Sequence, residues 1–350
     1  MYHLRLWASC VVLAIASAAL ADTPAATATT TTPTAARTSY TNPLPIPEHI
    51  ADPFVYREGD TYYLYGTSAR DGLLVWTSSD LVNWRPRGHA LTRTDDGWAR
   101  RDFWAPELFK HRDKYYLHFT ANHGERRSND PIRRLVLAVG DSPLGPFREI
   151  KAPWFETHGR DVIDGHVFRD RDGQLYLYSV YLPQPPEIEA FQICVRKLRD
   201  DLTPSAESTL CITASEPWEG KHVNEGPFVL RHGDDYLLTY SGMPYTSPDY
   251  AVGLATAKSP LGPWKKSANG PILKRAAGVS GPGHHSFVES PDGKELFIVY
   301  HVHKFADRPG DPRVMSIDRV KIVDGEPPSM KVIGPTTQPQ AMPSGTKTSR

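Results

Sequence analysis

Three acidic residues stand at the start of three similar segments of this 350-residue chain. Asp52 lies in "IADPFV", Asp164 in "VIDGHVF" and Glu225 in "VNEGPFV". An isolated acid before Pro or Gly is usually a solvated turn residue. Acids that recur at near-equivalent places in a repeat are instead typical of carboxyl groups that converge on one site. Three carboxyls at one site can supply a general base, a general acid and a third charge that raises the pKa of the acid.

Cleavage of a glycosidic bond needs such groups, because one ionised and one protonated carboxyl must flank the bond. Burial and neighbouring charges have to separate their two pKa values. Two other segment openings carry Trp104, in "FWAPEL", and His284, in "GPGHHSFV". We expect Trp104 to form an apolar wall against a sugar face and His284 to provide a polar centre. Taken alone, Trp104 would more often be a core residue and His284 a structural histidine.

The elements that follow these openings are short and alternating. Runs such as "TYYLYGTS", "KYYLHFTA" and "DYLLTYSG" have a period of two and follow turns of Gly, Asp or Lys. This pattern predicts half-buried strands joined in hairpins. Equivalent aromatic positions recur at intervals of about 60 residues, at Tyr63, Tyr116, Tyr176, Tyr236 and Phe297.

Self-similarity at this period, with several short strands in each unit, is the signature of a β-propeller. Five units predict an all-β fold, a five-bladed β-propeller. A pair of β-sandwiches is the alternative, and the register of the repeats favours the propeller. The first strand of each blade lines the central channel, so the five openings are expected to converge there.

The two ends of the chain differ from the repeats. Residues 1–21 combine Arg5, an apolar run and Ala19-Leu20-Ala21, which is typical of a signal peptide and predicts export to the periplasm or the extracellular space. Residues 22–44, rich in Thr, Ala and Pro, are predicted to be a disordered spacer, and residues 336–350 a disordered tail. The propeller is therefore predicted over residues 45–335.

The charge balance and the cysteines set further bounds. The formal net charge is zero, which argues against nucleic acid or an anionic membrane as a partner. After cleavage of the leader, Cys194 and Cys211 remain on two adjoining strand-like runs. Because the chain is expected to be exported, a disulfide between them and two buried free thiols are equal alternatives.

The sequence resembles glycoside hydrolase family 43 from residue 48 to about residue 335. The resemblance rests on "ADPFV", "FWAPELF", "IDGHVFRDRDG", "VNEGPFVL" and "GPGHHSFV", which occur in this order at blade spacing. It implies an O-glycosyl hydrolase like the five-bladed, inverting β-xylosidases, α-L-arabinofuranosidases and arabinanases. It implies no required cofactor.

By position, the resemblance also implies roles. Asp52 matches the general base that activates water, and Glu225 matches the general acid that protonates the leaving oxygen. Asp164 matches a third carboxylate that tunes and orients the acid. His284 matches a histidine near the channel centre that in several relatives reaches a calcium ion, partly through water. Arg313, in "DPRVMSID", falls where the family often has an arginine that binds sugar hydroxyls.

Three further residues are left with weaker assignments. Asp164 is followed by Gly165-His166, where the family often has Asp-Pro or Asp-Ala, and His166 is expected near the pocket without a catalytic role. Trp154 and Trp218 lie between units. They are either subsites for the leaving group or aromatic residues that pack the blades.

The expected substrate is a xylose- or arabinose-containing plant polysaccharide or oligosaccharide. β-Xylosidase and α-L-arabinofuranosidase activities are favoured, and endo- or exo-arabinanase activity is the alternative. A non-catalytic carbohydrate-binding propeller is an alternative of another class, because a fold does not fix an activity. Such a protein would need aromatic and polar groups but no ordered acid pair, so the three acids argue against it.

Overall fold

The computed structural model describes residues 38–46, 49–124, 133–184, 188–220 and 222–347. Within these ranges the chain forms five four-stranded antiparallel sheets, and in each sheet the strands follow chain order. Each sheet is therefore a meander of three hairpins, and the predicted all-β, five-bladed propeller is confirmed.

The first three blades hold twelve strands. They are β2 (Ala51–Glu58), β3 (Thr61–Thr67), β4 (Gly72–Ser78) and β5 (Arg85–Thr92) in blade 1, β6 (Arg101–His111), β7 (Lys114–Asn122), β8 (Arg133–Gly140) and β9 (Arg148–Lys151) in blade 2, and β10 (Val162–Arg169), β11 (Leu175–Tyr181), β12 (Gln192–Leu198) and β13 (Thr209–Thr213) in blade 3.

Blades 4 and 5 repeat this arrangement. They contain β14 (Asn224–His232), β15 (Asp235–Gly242), β16 (Ala251–Ala257) and β17 (Lys265–Lys266), then β18 (Gly283–Glu289), β19 (Leu296–His303), β20 (Arg313–Val323) and β21 (Ser329–Val332). A 3-10 turn, Pro217–Glu219, precedes blade 4.

The blades are held together by apolar side chains that pack between neighbouring sheets. Between blades 1 and 2, for example, Tyr65 and Val75 meet Leu117 and Phe119, and each is at most 1% exposed. Removing a buried side chain of this size usually costs about 2–5 kcal/mol of unfolding free energy. The Tyr- and Leu-rich second strands thus form the rigid scaffold that holds the channel-lining strands in place.

The ordered region is wider than the sequence predicts. β1 (Ser39–Tyr40) pairs with β22 (Gln340–Ala341), although the sequence predicts disorder for residues 22–44 and 336–350. Tyr40 and Leu44 are nearly fully buried against blade 5, and Leu44 N–H donates to the carbonyl of Met315. The predicted boundaries of 45–335 are corrected here, because these apolar side chains bind the two terminal segments to the propeller.

Two alternatives left open by the sequence can be decided. Cys194 and Cys211 are buried free thiols without a disulfide. Trp154 is buried and donates its indole N–H to the carbonyl of Leu202 at 2.7 Å, while Trp218 stacks on Tyr240. Both tryptophans therefore pack the blades.

Residues 1–21, where the signal peptide is predicted, lie outside the described residues. The part of the chain that the structure covers has no helix that is long and apolar enough to span a membrane.

Candidate active site

The five channel-lining strands share a β-bulge near their start, where the pairing register with the second strand shifts. One residue of each bulge has a left-handed backbone: Asp52 (φ 52°), Ala105 (43°), Asp164 (51°), Gly226 (55°) and His284 (45°). All five line one small central cavity. A left-handed backbone costs roughly 1–2 kcal/mol at residues other than Gly. Such strain collects at functional sites.

The backbone N–H of each bulge residue donates to a side chain. In four blades the acceptor lies on the second strand of the preceding blade: Thr67 for Ala105 (3.0 Å), Thr120 for Asp164 (3.0 Å), Ser241 for His284 (2.8 Å) and His301 for Asp52 (3.1 Å). In blade 4 the acceptor is Asp164 Oδ2, which lies 3.1 Å from the N–H of Gly226. Because Gly226 directly follows Glu225, Asp164 holds the backbone that carries Glu225.

Asp52 is buried among cationic and polar groups. Its Oδ1 lies 3.0 Å from Arg313 Nη1 and 3.3 Å from His284 Nδ1, and its Oδ2 accepts a hydrogen bond of 2.6 Å from Thr67. The ring of His301 lies 3.4 Å from the same Oδ1. The predicted residues Asp52, His284 and Arg313 are therefore in direct contact.

This environment keeps Asp52 ionised. Burial by itself raises the pKa of Asp52, but the charges of His284 and Arg313 and the contact with His301 bring it well below the usual range. Burial also lowers the pKa of both histidines, that of His301 to about 3. Arg313 keeps its charge at neutral pH, so it continues to stabilise the carboxylate when the histidines are neutral.

The surroundings of Glu225 raise its pKa, whereas those of Asp52 lower the pKa of Asp52. Burial is the main cause that raises the pKa of Glu225 to about 7; the charge of Asp52 acts in the same direction, while a hydrogen bond from Tyr250 and the charge of Arg313 oppose the rise. The Tyr250 hydroxyl donates to Glu225 Oε1 at 2.8 Å. Glu225 is partly exposed, so a ligand can reach its carboxyl group, and a large fraction of the molecules hold it protonated at neutral pH.

Asp164 interacts electrostatically with Glu225. Burial raises the pKa of Asp164 well above its usual value, and the charges of Glu225 and Asp52 add to the rise. Two carboxyls this strongly coupled lose their protons in two steps that belong to the pair. Once one carboxyl is ionised, its negative charge raises the pKa of the other. The pair therefore keeps one proton up to a higher pH than either carboxyl would alone.

Arg313 lies between the catalytic candidates and an aromatic ring. Its Nε is 2.9 Å from Asp311, and its guanidinium lies 4.3 Å from the ring centre of Tyr245. Tyr245 is 38% exposed and lies close enough for Asp52 and Glu225 to raise its pKa, although burial is the larger cause. The sequence did not single out Tyr245, which offers an open aromatic face beside both carboxyls.

Trp104 lies one residue before the bulge of blade 2 and lines a groove next to Thr67. The guanidinium of Arg133 covers its ring at 5.0 Å from the ring centre. His166 lies near the site, as expected, with its Nδ1 2.8 Å from Glu107 and its Nε2 accepting the N–H of Val229. Both of its ring nitrogens are occupied by these structural partners.

The site offers little to a calcium ion. No group of three or more His, Cys, Asp and Glu side chains in the described ranges is arranged to hold a metal. Calcium takes six to eight oxygen ligands, whereas the central cavity has a volume of about 10 Å³, enough for about one water molecule. His284, the predicted contact, is directed instead at Asp52.

The ring of bulges thus holds one strongly acidic carboxyl, Asp52 in blade 1, and one weakly acidic carboxyl, Glu225 in blade 4, with Asp164 in the adjoining blade 3. Two carboxyls with separated pKa values are the requirement for acid–base cleavage of an acetal, in which one activates water and the other protonates the leaving oxygen. Thr67, His301 and Tyr250, which orient this pair, were missed from the sequence. Thr67 and His301 each lie four residues after a repeated aromatic position.

Comparison with known proteins gives a consistent family. The family model described as Glycosyl hydrolases family 43 matches residues 40–327. A crystal structure of a thermostable family-43 glycoside hydrolase has 42% sequence identity and a TM-score of 0.81, with 88% of this chain and 100% of that one covered.

Two relatives with more specific names are more distant. An endo-1,4-beta-xylanase from Bacteroides thetaiotaomicron VPI-5482 is 32% identical, with a TM-score of 0.71 and coverage of 83% of this chain and 96% of that one. An extracellular exo-alpha-(1->5)-L-arabinofuranosidase of Streptomyces avermitilis is 29% identical over 288 residues. That match covers 78% of this chain and 58% of the relative's length.

Proposed function

Because this chain belongs to the glycosyl hydrolases of family 43, we propose that it hydrolyses xylose- or arabinose-containing plant polysaccharides or oligosaccharides. β-Xylosidase or α-L-arabinofuranosidase activity is the proposed specificity. The names of the relatives support a pentose substrate, since they include an arabinofuranosidase and a xylan 1,3-beta-xylosidase. Two relatives named extracellular exo-alpha-(1->5)-L-arabinofuranosidase support export, to the periplasm or the medium.

One observation carries the proposed mechanism: blades 1 and 4 each direct a carboxyl at the channel, and the pKa values of these two carboxyls are displaced in opposite directions. Asp52, ionised beside Arg313, acts as the general base and takes a proton from water. Glu225, with a pKa of about 7, acts as the general acid and protonates the departing oxygen. Water attacks the anomeric carbon as the bond to that oxygen breaks, so the configuration inverts in one step.

The remaining residues of the site position these groups. Asp164 holds the backbone after Glu225, and repulsion between these two coupled carboxyls keeps a proton on the pair up to a higher pH. Arg313 keeps Asp52 ionised, and its exposed neighbour Tyr245 presents an aromatic face on which a sugar can stack. Trp104 is the proposed wall of the adjoining groove. A calcium ion at the channel centre is not needed for any of these steps.

The test is hydrolysis of aryl β-D-xylosides, aryl α-L-arabinofuranosides and linear oligosaccharides, with the product sizes measured. Glu225→Gln and Asp52→Asn should each lower kcat/KM on oligosaccharides by about 10²–10⁴-fold. Glu207→Gln and Asp113→Asn are matched controls, because both side chains are exposed acids and lie in the β12–β13 and β6–β7 connections, at the ends of these blades opposite the bulges. Full activity in either site variant would remove that residue from the mechanism, and long products from a polysaccharide would favour an endo-arabinanase.

A further inference from the structure

A groove with a volume of about 790 Å³ lies beside Asp52, within the range of roughly 300–1,000 Å³ that small-ligand sites occupy. Its walls include Thr67, Trp104 and Asp311. Thr67 donates to Asp52 at 2.6 Å, and Asp311 contacts Arg313 at 2.9 Å. The groove is therefore continuous with the candidate active site, and a substituent of a bound sugar can enter it.

Three arginines also line the groove: Arg70, Arg93 and Arg101. Arg93 donates to the carbonyl of Arg100 at 3.1 Å and lies near Asp71, whose pKa it helps to lower. Arg70 and Arg101 differ from it. Across the described part of the chain, no carboxylate forms an ion pair with either guanidinium, so no described acid compensates their positive charges.

The acidic side chains of the groove do not neutralise these charges. Asp102 and Asp311 also line it. Asp102 lies 4.0 Å from Arg133, and Asp311 lies 2.9 Å from Arg313. Since both carboxylates are directed at other arginines, the groove has an excess of positive charge.

Arg101 shows the clearest sign of a missing partner. Its Nε is buried, and no hydrogen-bond acceptor for it is present among the residues described. A buried donor without an acceptor costs about 1–3 kcal/mol, whereas an arginine on an open surface would satisfy the same N–H with water. Because Arg101 also lines the groove, an anionic ligand bound there would compensate the charge of its guanidinium.

We propose that this groove is a subsite for the carboxylate of a uronic acid carried by the substrate. The planar guanidinium groups of Arg70 and Arg101 match a carboxylate, with which arginine forms paired, charge-assisted hydrogen bonds. This inference refines the proposed function and rests on it: the substrate class becomes an acidic pentose-containing oligosaccharide.

The test uses two inhibitors that differ in one group. One is a xylo-oligosaccharide bearing a glucuronic acid, and the other is its carboxyl-reduced counterpart, which bears glucose. Their inhibition constants are measured against hydrolysis of a neutral aryl glycoside. The acidic compound should bind the wild-type protein about tenfold more tightly, and high salt should reduce this ratio because exposed charges are screened.

The double variant Arg70→Gln/Arg101→Gln should bring the ratio of the two constants to about one. Arg70→Gln alone should lower it, and Arg70 is exposed, so that variant does not disturb the core. Arg85→Gln removes an exposed arginine from the opposite end of β5 and should leave the ratio unchanged. Equal inhibition by both compounds in the wild type, or an unchanged ratio in the double variant, would overturn the subsite.

The two proposals fail in different ways. Hydrolysis of aryl glycosides without a preference for the acidic compound would reject the subsite and leave the proposed function intact. If no aryl glycoside is hydrolysed, calorimetric titration of the same two compounds measures the preference directly. A carboxylate preference without hydrolysis would then count against the proposed function alone.

Discussion

The contact between Tyr250 and Glu225 gives a prediction with a definite sign. The Tyr250 hydroxyl donates to Glu225 at 2.8 Å and opposes the rise in the pKa of Glu225. Its ring stacks on His301 with the ring centres 5.6 Å apart and the planes inclined by 2°. Tyr250→Phe removes the hydroxyl and keeps the ring, so the stacking that supports the Asp52 side of the site is preserved.

The expected size of the effect follows from the hydrogen bond. A bond to a charged acceptor is worth about 1.5–3 kcal/mol, and the protonated carboxyl recovers part of it because it also accepts from the hydroxyl. A net loss of about 1.4 kcal/mol corresponds to one pKa unit. The pKa of Glu225 should therefore rise from about 7 by about one unit.

The assay is the pH dependence of kcat/KM, which reports the pKa values of the free enzyme. Glu225 acts in its protonated form, so activity falls as the pH rises through its pKa, and in Tyr250→Phe this fall should move to higher pH. An oligosaccharide substrate is required, because an activated aryl leaving group departs without protonation.

Tyr236→Phe is the matched control, since it removes a tyrosine hydroxyl bonded to Asp170 at 2.7 Å, far from the channel. The alkaline limb of its kcat/KM profile should lie at the same pH as that of the wild type. If Tyr250→Phe folds normally and its alkaline limb is unmoved or moves to lower pH, Glu225 is not the group that this limb reports.

Three further outcomes are expected. Asp164→Asn keeps an acceptor for the N–H of Gly226 but removes one of the two coupled carboxyls. Glu225 should then lose its proton without repulsion from the second carboxyl, and the alkaline limb should move to lower pH. A shift to higher pH would contradict this. Arg313→Gln should raise the pKa of Asp52. The acidic limb of the same pH profile should then move to higher pH, and kcat should fall. An acidic limb that does not move would show that Asp52 is not the group that titrates there. The buried Cys194 and Cys211 should react with a thiol reagent only after unfolding, and rapid reaction of the native protein would show that they are accessible.

Much of the site could be predicted because the fold is a repeat. The bulges place Asp52, Ala105 and Asp164 at one left-handed position of successive blades, and Glu225 one residue before the same position. Counting back from the repeated aromatic residue gives 11 residues to Asp52, Ala105 and Glu225 and 12 to Asp164, where the turn of blade 3 is longer. A repeat converts spacing along the chain into position around an axis, so residues far apart in sequence can be assigned to one ring.

Other features depended on packing between blades. Tyr250 comes from the connection between β15 and β16 and belongs to no repeated motif, so its contact with Glu225 depends on how that connection folds over the channel. The terminal strands β1 and β22 have only two residues each, and their composition resembles that of the disordered segments next to them. They form because blade 5 offers an apolar surface to Tyr40 and Leu44, which the local sequence does not reveal.

The configuration of the first product tests the central claim most directly. Proton NMR in the first minutes of hydrolysis of an oligosaccharide or aryl glycoside distinguishes the anomer released by the enzyme from the one formed later by mutarotation. If Asp52 activates water while Glu225 protonates the leaving oxygen, the first product has the anomeric configuration opposite to that of the substrate. Initial release of the same configuration would require a covalent intermediate and would contradict the roles given to both residues.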